Sequence, residues 1–255
     1  GLSVIDYPHI ENLLEKLVAI FKERAVSVSL PSVKPKAMVG NLSSLIASIK
    51  KTGLTFAPEA AGERLREVIG KDFDREIFFA ALEKAYENGY QHIKLYFMTG
   101  LPTEEDADLD GIISFAQEAS GLRRKINKSP ALVNISINTL IPKPHTPFQW
   151  LGMEGPERIK YKQDYLKGKA ENKRLKISIH NRYMSILEGI FSRGDRRLSK
   201  VILCAFRKGA RFDAWENNFN FSVWEAAFKE CGIDYGFYLR QRPTDEILPW
   251  DFLDM

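Results

Sequence analysis

The chain has 255 residues, 44% of them hydrophobic and 27% charged, with a formal net charge of +4. That balance excludes a disordered chain, and no apolar run reaches the roughly 20 residues of a membrane-spanning helix. Two cysteines, Cys204 and Cys231, are too few for a disulfide scaffold and too far apart for a zinc knuckle.

Gly1 is not a start methionine, and Leu2–Ile5 carries neither a basic leader nor a cleavage signal. The chain reads as beginning inside a strand, with the expectation that it is a fragment of a longer protein. From Pro8, apolar residues Ile10, Leu13, Leu14, Leu17, Val18 and Phe21 recur at helical spacing. Val26–Leu30 alternates as a strand, and Asn41 can cap a helix ending near Lys51. Leu54–Pro58 is the next strand. Glu63–Ile69 and Asp74–Asn88 read as helices broken at Gly70. Gln91–Thr99 is a strand, and Thr103 with Asp106 predicts a capped helix running to about Leu122. A strand over Ala131–Thr139, a helix over Pro156–Arg174 and a strand over Leu175–His180 follow. Helices at Tyr183–Phe191, Leu198–Lys208 and Ser222–Cys231 precede an irregular tail.

Repeated strand–helix units predict an α/β fold with a parallel sheet. Strands buried on both faces are apolar throughout, yet these alternate. Ile93, Leu95 and Phe97 oppose Lys94, Tyr96 and Met98; Val133, Ile135 and Ile137 oppose Asn134, Ser136 and Asn138. Ser29 has the same polar parity in its own strand. One face therefore packs under helices, while the other is polar. A barrel or open barrel with a polar lumen satisfies both, and a polar lumen implies a large ligand, because ordinary eight-stranded barrels fill with aliphatics.

Three loops at strand ends carry the candidate chemistry. Glu59 continues the polar parity of its strand, and its carboxylate can accept from hydroxyls or an ammonium. Ala60, Ala61 and Gly62 would let a ligand approach the backbone. The turn Gly100–Leu101–Pro102–Thr103–Glu104 can approach a planar ring. In the rigid loop Pro142–Trp150, His145, Gln149 and Trp150 offer a proton shuttle, an amide and a stacking surface. Lys94, in mid-strand, is either a ligand contact or a structural partner of Glu59. His180 reads as a structural histidine. Arg193–Arg197 can hold phosphate, although a solvated basic turn is its ordinary reading. Phosphate-binding glycine loops, zinc spacings and a nucleophile elbow are missing from the sequence.

The order Ala57-Pro58-Glu59-Ala60, then Tyr96-Phe97-Met98-x-Gly100-Leu101-Pro102-Thr103-Glu104, then Pro142-Lys143-Pro144-His145-Thr146-Pro147-Phe148-Gln149-Trp150 resembles the radical S-adenosylmethionine superfamily. Within it the chain is similar to an uncharacterised subfamily with an N-terminal cobalamin-binding domain, and more distantly to methylthiotransferase and Elongator-type enzymes. Ser29–Ser32, Arg193–Arg196 and Leu248–Asp251 belong to the same resemblance, which covers nearly the whole chain.

The resemblance implies a partial (βα)₆ barrel, here truncated at its N-terminal strand, over residues 1–180, with a helical extension over 181–255. It implies a cytoplasmic enzyme that holds a four-iron–four-sulfur (4Fe-4S) cluster and S-adenosylmethionine, cleaves the latter reductively to a 5′-deoxyadenosyl radical, and acts on an unknown substrate such as RNA or protein. Glu59 and Arg64 would contact the ribose or methionine end. Gly100 and Leu101 would flank the adenine, and Ser29, Lys94, Tyr96, Asn134, Ser136 and Asn138 would line the lumen. His145, Gln149 and Trp150 are the substrate-side candidates. The sequence departs from the family in having no three-cysteine motif, so cluster, cobalamin and catalysis are expected of the longer protein, and no metal site of this piece. An exposed barrel edge would favour self-association. Two other readings compete: an ordinary barrel enzyme with Glu59 and Lys94 as acid and base, and a nucleic-acid-binding module using Arg193–Arg197 and Arg207–Arg211.

Overall fold

A computed structural model describes residues 7–21, 53–169 and 173–253. The expected strand at 26–30 with Ser29, the helix from Asn41 and residues 2–6 lie outside the described residues.

Helix α1 (Ile10–Phe21) is followed, among the described residues, by β1 (Leu54–Glu59), α2 (Glu63–Val68), α3 (Arg75–Glu87), β2 (His92–Thr99), α4 (Asp106–Asn127) and β3 (Leu132–Thr139). Then come α5 (Pro156–Lys169), β4 (Leu175–Ile179), α6 (Arg182–Ser192), α7 (Leu198–Arg207), α8 (Phe221–Glu230) and the short α9 (Gly236–Leu239). The four strands form one sheet in the order β1-β2-β3-β4. Strand β1 pairs with β2, and β3 with β4, in parallel. The fold is thus α/β with a parallel sheet.

Two compact units divide the described chain. The first comprises residues 7–21, 53–137, 165–169 and 173–179, and the second residues 138–164 and 180–253. In the first, Phe56, Phe97, Phe78 and Phe115 are buried between the sheet and helices α3 and α4. The Phe78 ring stands edge-on to Phe56 at 5.2 Å and lies tilted 5.1 Å from Phe115. These rings dominate the buried apolar area that holds sheet to helix. The hydroxyl of buried Tyr86 donates to the Ala119 carbonyl at 2.7 Å, so α3 and α4 meet through a satisfied polar contact.

Helix starts follow local chemistry. Asp74 caps α3 by accepting from the Ile77 N–H at 2.9 Å. The expected cap at Thr103 is corrected: Thr103 has a left-handed φ of 64°, and Glu105 caps α4 in a reciprocal box with Asp108. A carboxylate does there what a hydroxyl was expected to do. Helix α4 also runs past Leu122 to Asn127, because Arg123 is satisfied in place: it donates to the carbonyls of Tyr90 and Ser129 at 3.2 and 3.0 Å. Lys173 and Arg174 form a turn rather than the end of the preceding helix, and the tail contains α9.

In the second unit α6, α7 and α8 share a core of Ile186, Ile190, Val201, Trp224 and Phe228. Arg193, expected in a solvated basic turn, is instead fully buried. Its guanidinium donates to the carbonyls of Tyr238 at 2.8 Å, Leu151 at 2.6 Å and Arg240 at 2.7 Å. No helix among the described residues is long and apolar enough to cross a membrane.

Candidate functional site

The polar sheet face is built by strand parity. Burial alternates along β1 and β2, so Leu54, Phe56, Ile93, Leu95 and Phe97 are buried while Thr55, Ala57, Lys94 and Tyr96 are half-buried. Along β3, Asn134 and Asn138 are exposed and Ser136 is half-buried. Register sets Thr55 beside Lys94, Asn134 beside Lys176 and Ser136 beside Ser178. The Lys94 ammonium lies 4.5 Å from the centre of the Tyr96 ring, a cation–π contact two residues along the same face. Asn138 keeps the parity of β3 but falls in the second unit.

At the C-terminal edge of β1 the pairing with β2 shifts register between Phe56 and Glu59. Glu59 there has a φ of 65°, a left-handed conformation that a glutamate adopts only where its surroundings impose it. Burial pushes its carboxyl above the usual range, and Lys71, 3.6 Å away, opposes that shift. The structural pairing expected with Lys94 is therefore corrected: the ion-pair partner is Lys71, which follows the Gly70 turn and which no spacing in the sequence singled out.

Arg64 and Arg66 fix the loop after Glu59. The Arg66 guanidinium is buried, stacks 5.0 Å from the Phe73 ring, and donates to the carbonyls of Ala60 at 3.1 Å and Ala61 at 2.6 Å. Arg64 crosses to the next strand-end turn. It donates to Thr103 Oγ1 at 2.8 Å and to the Thr103 carbonyl at 3.1 Å, and it pairs with Asp108 at 2.5 Å. Two loops that the sequence singled out separately, after β1 and after β2, are thus brought together by one arginine.

The second of these turns is closed on itself. Gly100 has a φ of 83°, and Glu104 Oε2 accepts from the N–H groups of Gly100 at 3.0 Å and Leu101 at 3.3 Å. Leu101 is buried. The backbone donors of the turn are thus taken up by Glu104.

In the second unit, Gln149 is a staple within its own loop. Its Oε1 accepts from the His145 N–H at 3.1 Å and from the Trp250 indole at 2.8 Å. His145 has a left-handed φ of 56° and is exposed. The Trp150 carbonyl accepts from the Arg242 N–H at 2.9 Å. His180 Nδ1 lies 2.9 Å from Ser185 Oγ of α6, within the second unit. Among the described residues no group of three His, Cys, Asp or Glu side chains is arranged to hold a metal ion.

Over 202 residues, 78% of its length, the chain is 34% identical to an uncharacterised protein of Methanocaldococcus jannaschii. The match spans 41% of that protein's length. No family model matches the chain. No solved structure matches it.

Proposed function

We propose that the polar sheet face and the turns beyond β1 and β2 form the S-adenosylmethionine-binding side of a radical S-adenosylmethionine enzyme, with the sheet as part of an incomplete (βα) barrel. The observation that carries this reading is Glu59: a desolvated carboxylate at a strand end, set by a register shift and a left-handed backbone. Strain of that kind is retained at ligand sites, where it orients a group in advance. A buried acceptor of raised proton affinity suits the ribose hydroxyls and ammonium of S-adenosylmethionine, which are donors.

The chain's own residues would then act as follows. Glu59 accepts from the ligand in place of Lys71. Arg64 holds the two turns at a fixed separation. Gly100, lacking a Cβ, lets the adenine approach the backbone, and Lys94, Tyr96, Asn134 and Ser136 offer polar contacts along the strands. These groups fit the ligand. They do not fit an iron–sulfur cluster: the chain has two cysteines, both in the second unit. Cluster ligation would belong to other parts of a longer protein, which supply the electron that cleaves the sulfonium bond. Acid–base chemistry by Glu59 and Lys94 is the weaker reading, because Glu59 is paired with Lys71.

The test uses the full-length natural protein, purified without oxygen and reconstituted with iron and sulfide. With dithionite and S-adenosylmethionine, 5′-deoxyadenosine is expected by mass spectrometry. Glu59→Gln should weaken S-adenosylmethionine binding by about tenfold, the worth of one charge-assisted hydrogen bond. A well-formed cluster with no S-adenosylmethionine binding would overturn the reading, and turnover without iron would promote the acid–base barrel.

A further inference from the structure

Helix α7 is apolar on both sides. Val201, Cys204 and Ala205 are buried, while Ile202, Leu203 and Phe206 are 48%, 49% and 53% exposed. A helix of this kind normally has a partner on each face. Two cavities of about 380 and 460 Å³ run beside it and share Lys200 and Cys231, forming one groove.

The groove is basic. Arg197, Lys200, Arg207 and Lys208 line it against Glu230 and Asp234. The two acids are already engaged: Glu230 pairs with Lys208 at 2.7 Å, and Asp234 accepts from the Gly236 N–H at 2.8 Å. Arg197 is held by Asp195. Lys200 and Arg207 have no ion-pair partner among the described residues, and both are exposed. The segment Arg193–Glu216 carries seven basic and three acidic residues, a local surplus of positive charge.

Phe237 lines one cavity, and Phe206 stands on the exposed side of α7; each ring lies under a guanidinium. Phe237 has Arg197 at 5.1 Å and Arg240 at 4.2 Å. Phe206 is covered by Arg211, whose guanidinium carbon sits 3.3 Å from the ring centre. Arg211 is locked there by donating to the carbonyls of Phe206 at 2.5 Å and Ala210 at 2.6 Å. Past it, Phe212 and Trp215 are 74% and 67% exposed. They are rigidly presented: Phe212 has a left-handed φ of 54°, and the Trp215 N–H donates to its carbonyl at 2.9 Å.

A cationic groove followed within a few residues of chain by exposed stacking surfaces is the physical recipe for holding unpaired nucleotides. An acidic amphipathic helix would need a continuous apolar floor, and this lining alternates apolar with charged groups. We propose that the α7 groove binds single-stranded polynucleotide, with phosphates at Lys200 and Arg207 and bases stacked on the Arg211–Phe206 pair and on Trp215. The proposal lies within the second unit and stands apart from the cofactor reading.

The test is fluorescence anisotropy of the 255-residue chain with labelled oligouridine and oligothymidine, each about 12 nucleotides, across a salt series. Binding in the micromolar range is expected, tighter at low salt. Lys200→Gln with Arg207→Gln should lower the slope of log affinity against log salt by about 1.4. Trp215→Ala, or Phe206→Ser as an independent stacking variant, should weaken binding about tenfold or more and leave that slope unchanged. Circular dichroism checks that each variant is folded. Absence of binding at about 100 μM, affinity indifferent to both aromatic changes, or binding to anionic phospholipid vesicles or an acidic helical peptide in preference to the oligonucleotides would overturn the proposal.

Discussion

Replacing Arg193 with methionine should unfold the second unit at much lower denaturant, and the structure sets the size of the effect. The guanidinium makes three hydrogen bonds of 2.6–2.8 Å to the carbonyls of Leu151, Tyr238 and Arg240. Its own carbonyl accepts from Arg242 at 2.7 Å. The segments it joins also pair directly, Met153 N–H to the Leu239 carbonyl and Arg242 N–H to the Trp150 carbonyl. Methionine fills the volume but leaves three carbonyls without their donors, at about 1–3 kcal/mol each. Relief from burying a charge offsets part of this. Burial and the nearby Arg242 and Arg240 already lower the Arg193 pKa to about 10, so the group stays protonated near neutrality. A net loss of about 4 kcal/mol is expected, the range found when one member of a buried polar network is removed.

The assay is urea unfolding followed by tryptophan fluorescence. Trp150, Trp215, Trp224 and Trp250, which are all 4 tryptophans of the chain, belong to the second unit, so the signal reports that unit alone. At about 2 kcal/mol per molar urea the midpoint should fall by about 2 M. Arg196→Met is the control, because Arg196 is exposed and should shift stability by no more than about 0.5 kcal/mol. If the Arg193 variant matched the Arg196 control, the clamp would be dispensable and the reasoning refuted.

Three further outcomes are expected. A Cβ at Gly194 would lie 2.9 Å from the Ile190 carbonyl oxygen, a backbone atom that cannot swing aside, so Gly194→Ala should cost about 1–3 kcal/mol by the same fluorescence assay. The Asp195 pKa is depressed first by its hydrogen bonds to Arg197, against some burial; its stabilisation is present above the ordinary carboxylate range and lost as pH falls through the folded value. Asp195→Asn should therefore flatten the acid limb of the second unit's stability, and an unchanged acid limb would count against the pair. The Glu59 pKa is raised by burial, so its charged form weakens the fold: stability is highest below the unfolded value and declines as pH rises through the folded one. Glu59→Gln should stabilise the first unit near neutral pH and have no effect near pH 3, measured by circular dichroism.

Much of the fold was written in periodicity. The apolar residues of β1, β2 and β3 alternate as strongly in the sequence as in the burial pattern, because a parallel strand with one helix-covered face has little choice of which side to bury. Helix ends were less legible. The start of α4 turned on whether Thr103 or Glu105 supplied the cap, and both residue types can accept a backbone N–H. Only the left-handed φ at Thr103 separates the two, and a turn of that shape has no strong signature outside glycine.

Charge partners were the least legible feature, for a physical reason. A lysine or arginine reaches across several ångströms of space, so its partner is set by which elements meet rather than by spacing along the chain. Lys94 and Glu59 share a face parity, yet the ion pair goes to Lys71, which a turn returns to the strand end. Arg193 sits in a basic stretch of the sequence, yet it is fully buried, and exposed charge falls further along at Lys200 and Arg207. Local density of basic residues therefore does not tell a buried clamp from an exposed side chain. What decides between clamp and contact is the number of carbonyls that converge on a guanidinium. Three converge on Arg193, two adjacent ones lock Arg211 over a ring, and the side chains left facing solvent are those that can meet phosphate.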